Sequence, residues 1–101
     1  MEAAQAAARQ CAINGLASVL TLGEEVFGRL AGVLRVGAFV SSDSAFIQQP
    51  AVANGASEFL VEVFGKDGKH VRAAVGVNTL PLDATVEVEF IFQLAALPVP
   101  S

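Results

Sequence analysis

The residues able to do chemistry in this chain gather between His70 and Phe90, in HVRAAVGVNTLPLDATVEVEF. Arg72 heads an apolar strand pattern, a Leu80-Pro81 turn follows, and Glu87 and Glu89 then alternate with Val86, Val88 and Phe90. A cation and two carboxylates on strands that otherwise want burial call for a ligand or an ion partner. Strand alternation puts Arg72 on one face with Ala74, Gly76 and Asn78. Those small neighbours leave room against the guanidinium, whose planar fork suits a carboxylate held by two parallel hydrogen bonds. The plainer reading is an arginine near a strand end that reaches water or pairs with an acid. Glu87 has the chemistry to move a proton or place a water in a cleft, whereas a solvated strand face accounts for Glu89. Asn54 followed by Gly55 is a poor helix former in an apolar context; it either faces water or binds a ligand in a cleft.

Topology limits how these groups can meet. Arg72 and Glu87 each begin a strand, and the two strands are expected to run in opposite directions. Within one chain that sets them at opposite ends of the sheet, on the order of 15 Å apart at about 3.3 Å per residue. They could share a pocket only if a neighbouring subunit supplies one of them. The lone His70 has no second histidine or nearby cysteine, so a metal site is not expected. Cys11 reads as a small buried residue. No Ser/His/Asp triad is legible, and no phosphate loop.

The elements that position these residues follow from periodicity. Residues 2–20 are alanine-rich and free of proline, with Ala8, Ala12, Leu16 and Val19 along one stripe, which predicts a helix. Ala4, Cys11 and Gly15 keep that face small enough to lie close to a sheet. A short helical turn fits Glu24–Leu30, and residues 33–40 alternate as a strand. Pro50 suits a first helical position, and a second helix runs from there to Phe64 with Val52, Ala56, Phe59, Leu60 and Val63 inward, stopped by Gly65. Lys66 to Lys69 is a polar turn, residues 71–77 and 86–92 are strands, and residues 95–101 form an irregular tail.

The order α, β, α, β, β predicts an α+β layered sandwich: one mixed β-sheet with two helices packed on one face, in a single domain over residues 1–101. Three strands leave a bare edge and an open face, and both call for a partner.

Composition narrows the function classes. Of 101 residues, 53% are hydrophobic and only 16% charged, which suits a domain that covers some surface with other subunits. A net charge of -4 with scattered Lys and Arg, and no Tyr or Trp to stack bases, argues against nucleic-acid binding. The longest apolar run, residues 30–40, is broken by Arg35 and too short to span a bilayer. A single cysteine and no basic-then-apolar leader suggest a soluble cytoplasmic protein.

The run PAVANGASEFLVEVFGKDGKHVRAAVGVNTLPLDATVEVE, residues 50–89, resembles the Rid/YjgF proteins, the reactive intermediate deaminases once labelled endoribonuclease L-PSP. Arg72, then Leu80-Pro81, then Glu87 follows that family's spacing, and a weaker likeness extends over about residues 5 to 93. The resemblance implies a chorismate-mutase-like fold and a homotrimer with clefts between subunits. It also implies cofactor-free hydrolysis of small enamine or imine acids to 2-oxo acids and ammonia. Carried over by position, Arg72 would hold the substrate carboxylate, Glu87 would place or activate the attacking water, and Asn54 would support. Ala74 stands where many members have a cysteine. The family also places strands before its first helix, where Met1 already lies here, so an N-terminally incomplete domain is expected. Two alternatives follow: a non-catalytic binder of small carboxylates, or an inactive truncated fragment.

Overall fold

A computed structural model describes residues 1–97. Helix α1 spans Glu2–Leu20 and a short α2 spans Glu24–Gly28. Strand β1 is Leu30–Ser41, helix α3 is Gln49–Phe64, strand β2 is Val71–Val77 and strand β3 is Val86–Leu94. Single 3-10 turns at Gly65–Gly68 and Pro81–Asp83 lead into β2 and β3.

The sheet order is β2-β1-β3, with β1 parallel to β2 and antiparallel to β3. This is the mixed sheet expected of the α, β, α, β, β order, with α1 and α3 packed on one face. The central strand is the most buried of the three: Val33, Val36, Ala38 and Val40 point toward the helices. Val33, Val36 and Val40 meet Ala8 and Ala12 of α1, Val52, Ala56 and Leu60 of α3, and Val86 of β3. Alanines at the centre of α1 carry no side-chain entropy cost and let the helices approach closely. Gln5 fastens the pair by donating from Nε2 to the Ala51 carbonyl, 2.9 Å away.

The differences from expectation are local. Strand β1 begins at Leu30 rather than residue 33, and a register irregularity between Val33 and Arg35 accommodates the extra length. The Lys66–Lys69 turn is a 3-10 turn in which the buried Gly68 packs under the end of α3. Val63 is exposed, because in the last turn of α3 Phe64 takes the inward position. Gly65 ends that helix with φ 63°, a conformation open to glycine at little cost. Residues 95–97 lie in no regular element, and the rest of the expected tail, residues 98–101, falls outside the described residues.

The other face of the sheet carries no helix. Register places Arg35, Gly37 and Phe39 of β1 there, flanked by Val71, Ala73 and Val75 of β2 and by Glu87, Glu89 and Ile91 of β3. Val71, Val75 and Ile91 are half-exposed or more on it, and Arg35 meets Glu89 across Gly37 at 2.5 Å. Among the described residues, no helix is long and apolar enough to cross a membrane.

Candidate functional site

Arg72 is the second residue of β2, paired in register with Val36, so its side chain leaves the sheet on the helix side. Because β2 is an edge strand, the guanidinium runs along the outside of α3. There its Nη1 donates to Asn54 Oδ1 at 2.8 Å and to Ser57 Oγ at 3.2 Å. Asn54 and Ser57 stand three residues apart on α3, hence on one helix face. The arginine is thus steadied by two neutral acceptors rather than by an acid.

That distinguishes it from every other arginine. Arg9 pairs with Glu62 at 3.3 Å, Arg29 with Glu25 at 3.9 Å and Arg35 with Glu89. Arg72 alone has no carboxylate partner among the described residues. Its remaining N–H donors are free to take an anion.

His70 completes the group. Its Nδ1 lies 2.5 Å from the Gly68 carbonyl oxygen, and its Nε2 lies 2.9 Å from Ser57 Oγ. A carbonyl can only accept, so Nδ1 carries the proton, and in the neutral ring Nε2 accepts from the Ser57 hydroxyl. Ser57, Lys69, His70 and Arg72 line a cleft of about 220 Å³. The sequence singled out Arg72 and Asn54 here and missed Ser57 and Lys69; His70 it considered only as a metal ligand. The signal lay in two spacings: Asn54 and Ser57 at i, i+3 on a helix, and His70 and Arg72 at i, i+2 entering a strand.

Glu87 lies elsewhere. It pairs in register with Phe39, on the open face of the sheet, exposed and without an ion pair among the described residues. Arg72 is level with Val36, so the two differ by three positions along β1, about 10 Å at about 3.3 Å per residue. Two strand spacings add roughly 10 Å sideways, for a separation of about 14 Å with the sheet between them. The distance is close to that expected from sequence; the opposite faces are the new information.

Two other cavities lie at the far end of β2. One of about 360 Å³ is lined by Ser42, Asp43, Ser44, Gln49 and Asn78 among others, and one of about 320 Å³ by Ala4, Phe46, Val52 and Val86 among others. Neither has a cationic lining residue. Cys11 borders β3, with Sγ 4.0 Å from the Val86 oxygen. Burial pushes its thiol pKa up and the charge of Glu87 adds to this, while the backbone at Val88 pulls the other way. No group of three or more His, Cys, Asp or Glu is placed to hold a metal among the described residues.

No family model matches the chain. Its sequence is 42% identical over 92 residues to Protein TCP17 of Trypanosoma cruzi, a match covering 89% of this chain and 56% of that protein. Among solved structures, protein Atu1372 of Agrobacterium tumefaciens, of unknown function, is 38% identical with a TM-score of 0.87, over 94% of this chain and 60% of that one. A "putative endoribonuclease" from Shewanella oneidensis is 25% identical with a TM-score of 0.83, over 92% of this chain and 61% of that one. The chain therefore spans 56% to 61% of the length of the relatives it matches. With Arg72, Leu80-Pro81 and Glu87 at their spacing on this fold, the chain is similar in sequence pattern and fold to the Rid/YjgF proteins of the endoribonuclease L-PSP type.

Proposed function

We propose that the protein hydrolyses small enamine or imine acids to 2-oxo acids and ammonia, without a cofactor, at a cleft between copies of the chain. Arg72 receives the substrate carboxylate, Asn54 holds the guanidinium in position, and Glu87 of another copy places or activates the water. The observation that carries this reading is the pairing of Arg72: a cation at a cleft, braced by Asn54 and Ser57, with no carboxylate partner among the described residues. A bound carboxylate would supply the missing charge through two parallel hydrogen bonds.

The intersubunit part has separate support. Glu87 cannot reach the Arg72 cleft through its own sheet, and the open face that carries it exposes Val71, Val75 and Ile91. Association into a trimer would cover that apolar area. A cytoplasmic location accompanies this reading, supported by a single cysteine with no intrachain partner.

The test is to add the protein to an amino-acid dehydratase or oxidase and follow 2-oxo acid release. Acceleration over buffer is expected, abolished in Arg72→Ala and slowed in Glu87→Gln. Release no faster than in buffer, or an undiminished rate in Arg72→Ala, overturns the proposal. A role in binding carboxylates without turnover is the second reading, favoured by one fact: the Arg72 cleft is complete on one face without Glu87. Calorimetry showing 2-oxo acid binding that requires Arg72, with turnover at background, would select it.

A further inference from the structure

The Ser57–His70 contact plays no part in that proposal, yet it has the layout of a nucleophile and its base. We propose that Ser57 is a nucleophile, activated by His70, toward small acyl compounds that carry a carboxylate. The Oγ–Nε2 distance of 2.9 Å is within the range for an activated serine. The base is oriented by a third group, as such pairs require: the Gly68 carbonyl accepts from Nδ1 and fixes the tautomer in which Nε2 is basic. Gly68 is itself immobilised, buried against the Leu60 carbonyl, so the acceptor is rigid. Arg72 donates to the same Ser57 Oγ at 3.2 Å, a charge-assisted contact that favours the alkoxide.

The cleft also supplies what a substrate needs. Arg72, anchored to Asn54, keeps N–H donors for a carboxylate beside Ser57, and Lys69 adds positive charge for a developing oxyanion. The step balances without an added reagent other than water. Ser57 Oγ bonds to the acyl carbon as its proton passes to His70 Nε2, the bond from carbon to the leaving alkoxide breaks, and His70 returns the proton to the alkoxide. Water then attacks acyl-Ser57 and gives a proton to His70, the bond from the acyl carbon to Ser57 Oγ breaks, and His70 returns that proton to Oγ, leaving a carboxylic acid and a free serine.

The experiment uses the full chain with mono-p-nitrophenyl succinate, which carries a carboxylate, and with uncharged p-nitrophenyl acetate for comparison. Nitrophenolate release from the succinate ester is expected together with a succinyl group on Ser57 in a peptide map of protein acid-quenched within the first turnover. His70→Gln is expected to slow acylation by about 100-fold or more. Arg72→Gln should slow both esters through the lost contact to Ser57 Oγ, and should in addition raise KM for the succinate ester but not for the acetate ester. The wild-type peptide map decides without any variant. Unmodified Ser57, or a succinyl group found only on Lys69 or His70, overturns the proposal, as does acylation in His70→Gln at the wild-type rate. Failure here leaves the deamination reading intact, because that reading makes no use of Ser57 as a nucleophile.

Discussion

Replacing Gly55 with alanine is expected to destabilise this protein, although the same change on an open helix face stabilises by about 1 kcal/mol. Gly55 is inside α3, where α1 crosses it. A Cβ there would strike the Gln5 carbonyl oxygen, with the carbonyl carbon 2.7 Å and Cα 3.0 Å away. Carbon atoms prefer about 3.5–4.0 Å, so α1 must retreat by about 1 Å, and a gap of that size forfeits up to about half of each contact's attraction. The obstruction is backbone, which cannot rotate aside, so the overpacking cost belongs near the upper end of the usual range of about 1–3 kcal/mol. Subtracting the helix gain of about 1 kcal/mol leaves a net loss of about 2 kcal/mol. For a domain of this size that lowers Tm by roughly 8–16 °C. Urea unfolding followed by far-UV circular dichroism, with Gly28→Ala as control, measures it. Gly28 has nothing within 4 Å of its would-be Cβ, so the control should gain about 0.4–1 kcal/mol. A Gly55→Ala protein as stable as the wild type would refute this account of the α1–α3 contact. The shift should also weaken binding of 2-oxo acids, since α3 carries Asn54 and Ser57 to Arg72.

Three further outcomes are expected. Leu82 is fully exposed with φ 58° and ψ 24°, so Leu82→Asn should stabilise by about 0.5–1 kcal/mol in the same melts, asparagine tolerating that region better. Cys11, its thiol pKa raised chiefly by burial, should react with iodoacetamide more slowly than free cysteine. Because the folded value lies above the unfolded one, the native state binds more protons, so this contribution to stability is complete below about pH 8.5 and shrinks as pH rises beyond it. A Cys11→Ala variant would lose that alkaline slope. Glu89→Gln breaks a half-exposed ion pair and should cost less than about 1 kcal/mol in dilute protein. It should cost more at concentrations where copies associate across the open face, and an equal cost at both would argue against such packing.

How far the sequence disclosed the fold depended on which elements had local signals. Helix α1 and strand β2 were legible to the residue, because an alanine-rich, proline-free run and an apolar alternation are self-contained patterns. Pro50 and Gly65 bracketed α3 in the same way. The first residues of β1 were not legible: Gly32 pairs there only because a register irregularity absorbs the extra length, which no alternation pattern encodes. In the site, Arg72 and Asn54 stood out as polar residues in apolar surroundings. Ser57 did not, since a serine on a helix surface is unremarked until a histidine thirteen residues later in the chain is folded onto it.

The placement of Arg72 and Glu87 follows from arithmetic on a sheet with a period of two. Arg72 is level with Val36 and Glu87 with Phe39, an odd offset, so their side chains leave opposite faces. No rotamer change can bring them together, because β1 stands between their strands. Any reaction that uses both therefore depends on assembly: it needs another copy to present Glu87 to the Arg72 cleft, and its specific activity must fall on dilution below the dissociation constant. Acylation of Ser57 draws on Ser57, His70, Lys69 and Arg72, all lining one cleft of a single chain, and carries no such dependence. Dilution thus separates the two chemistries assigned to one arginine. Deamination that survives dilution to the monomer would remove Glu87 from the mechanism and leave His70 as the nearest group able to place the water.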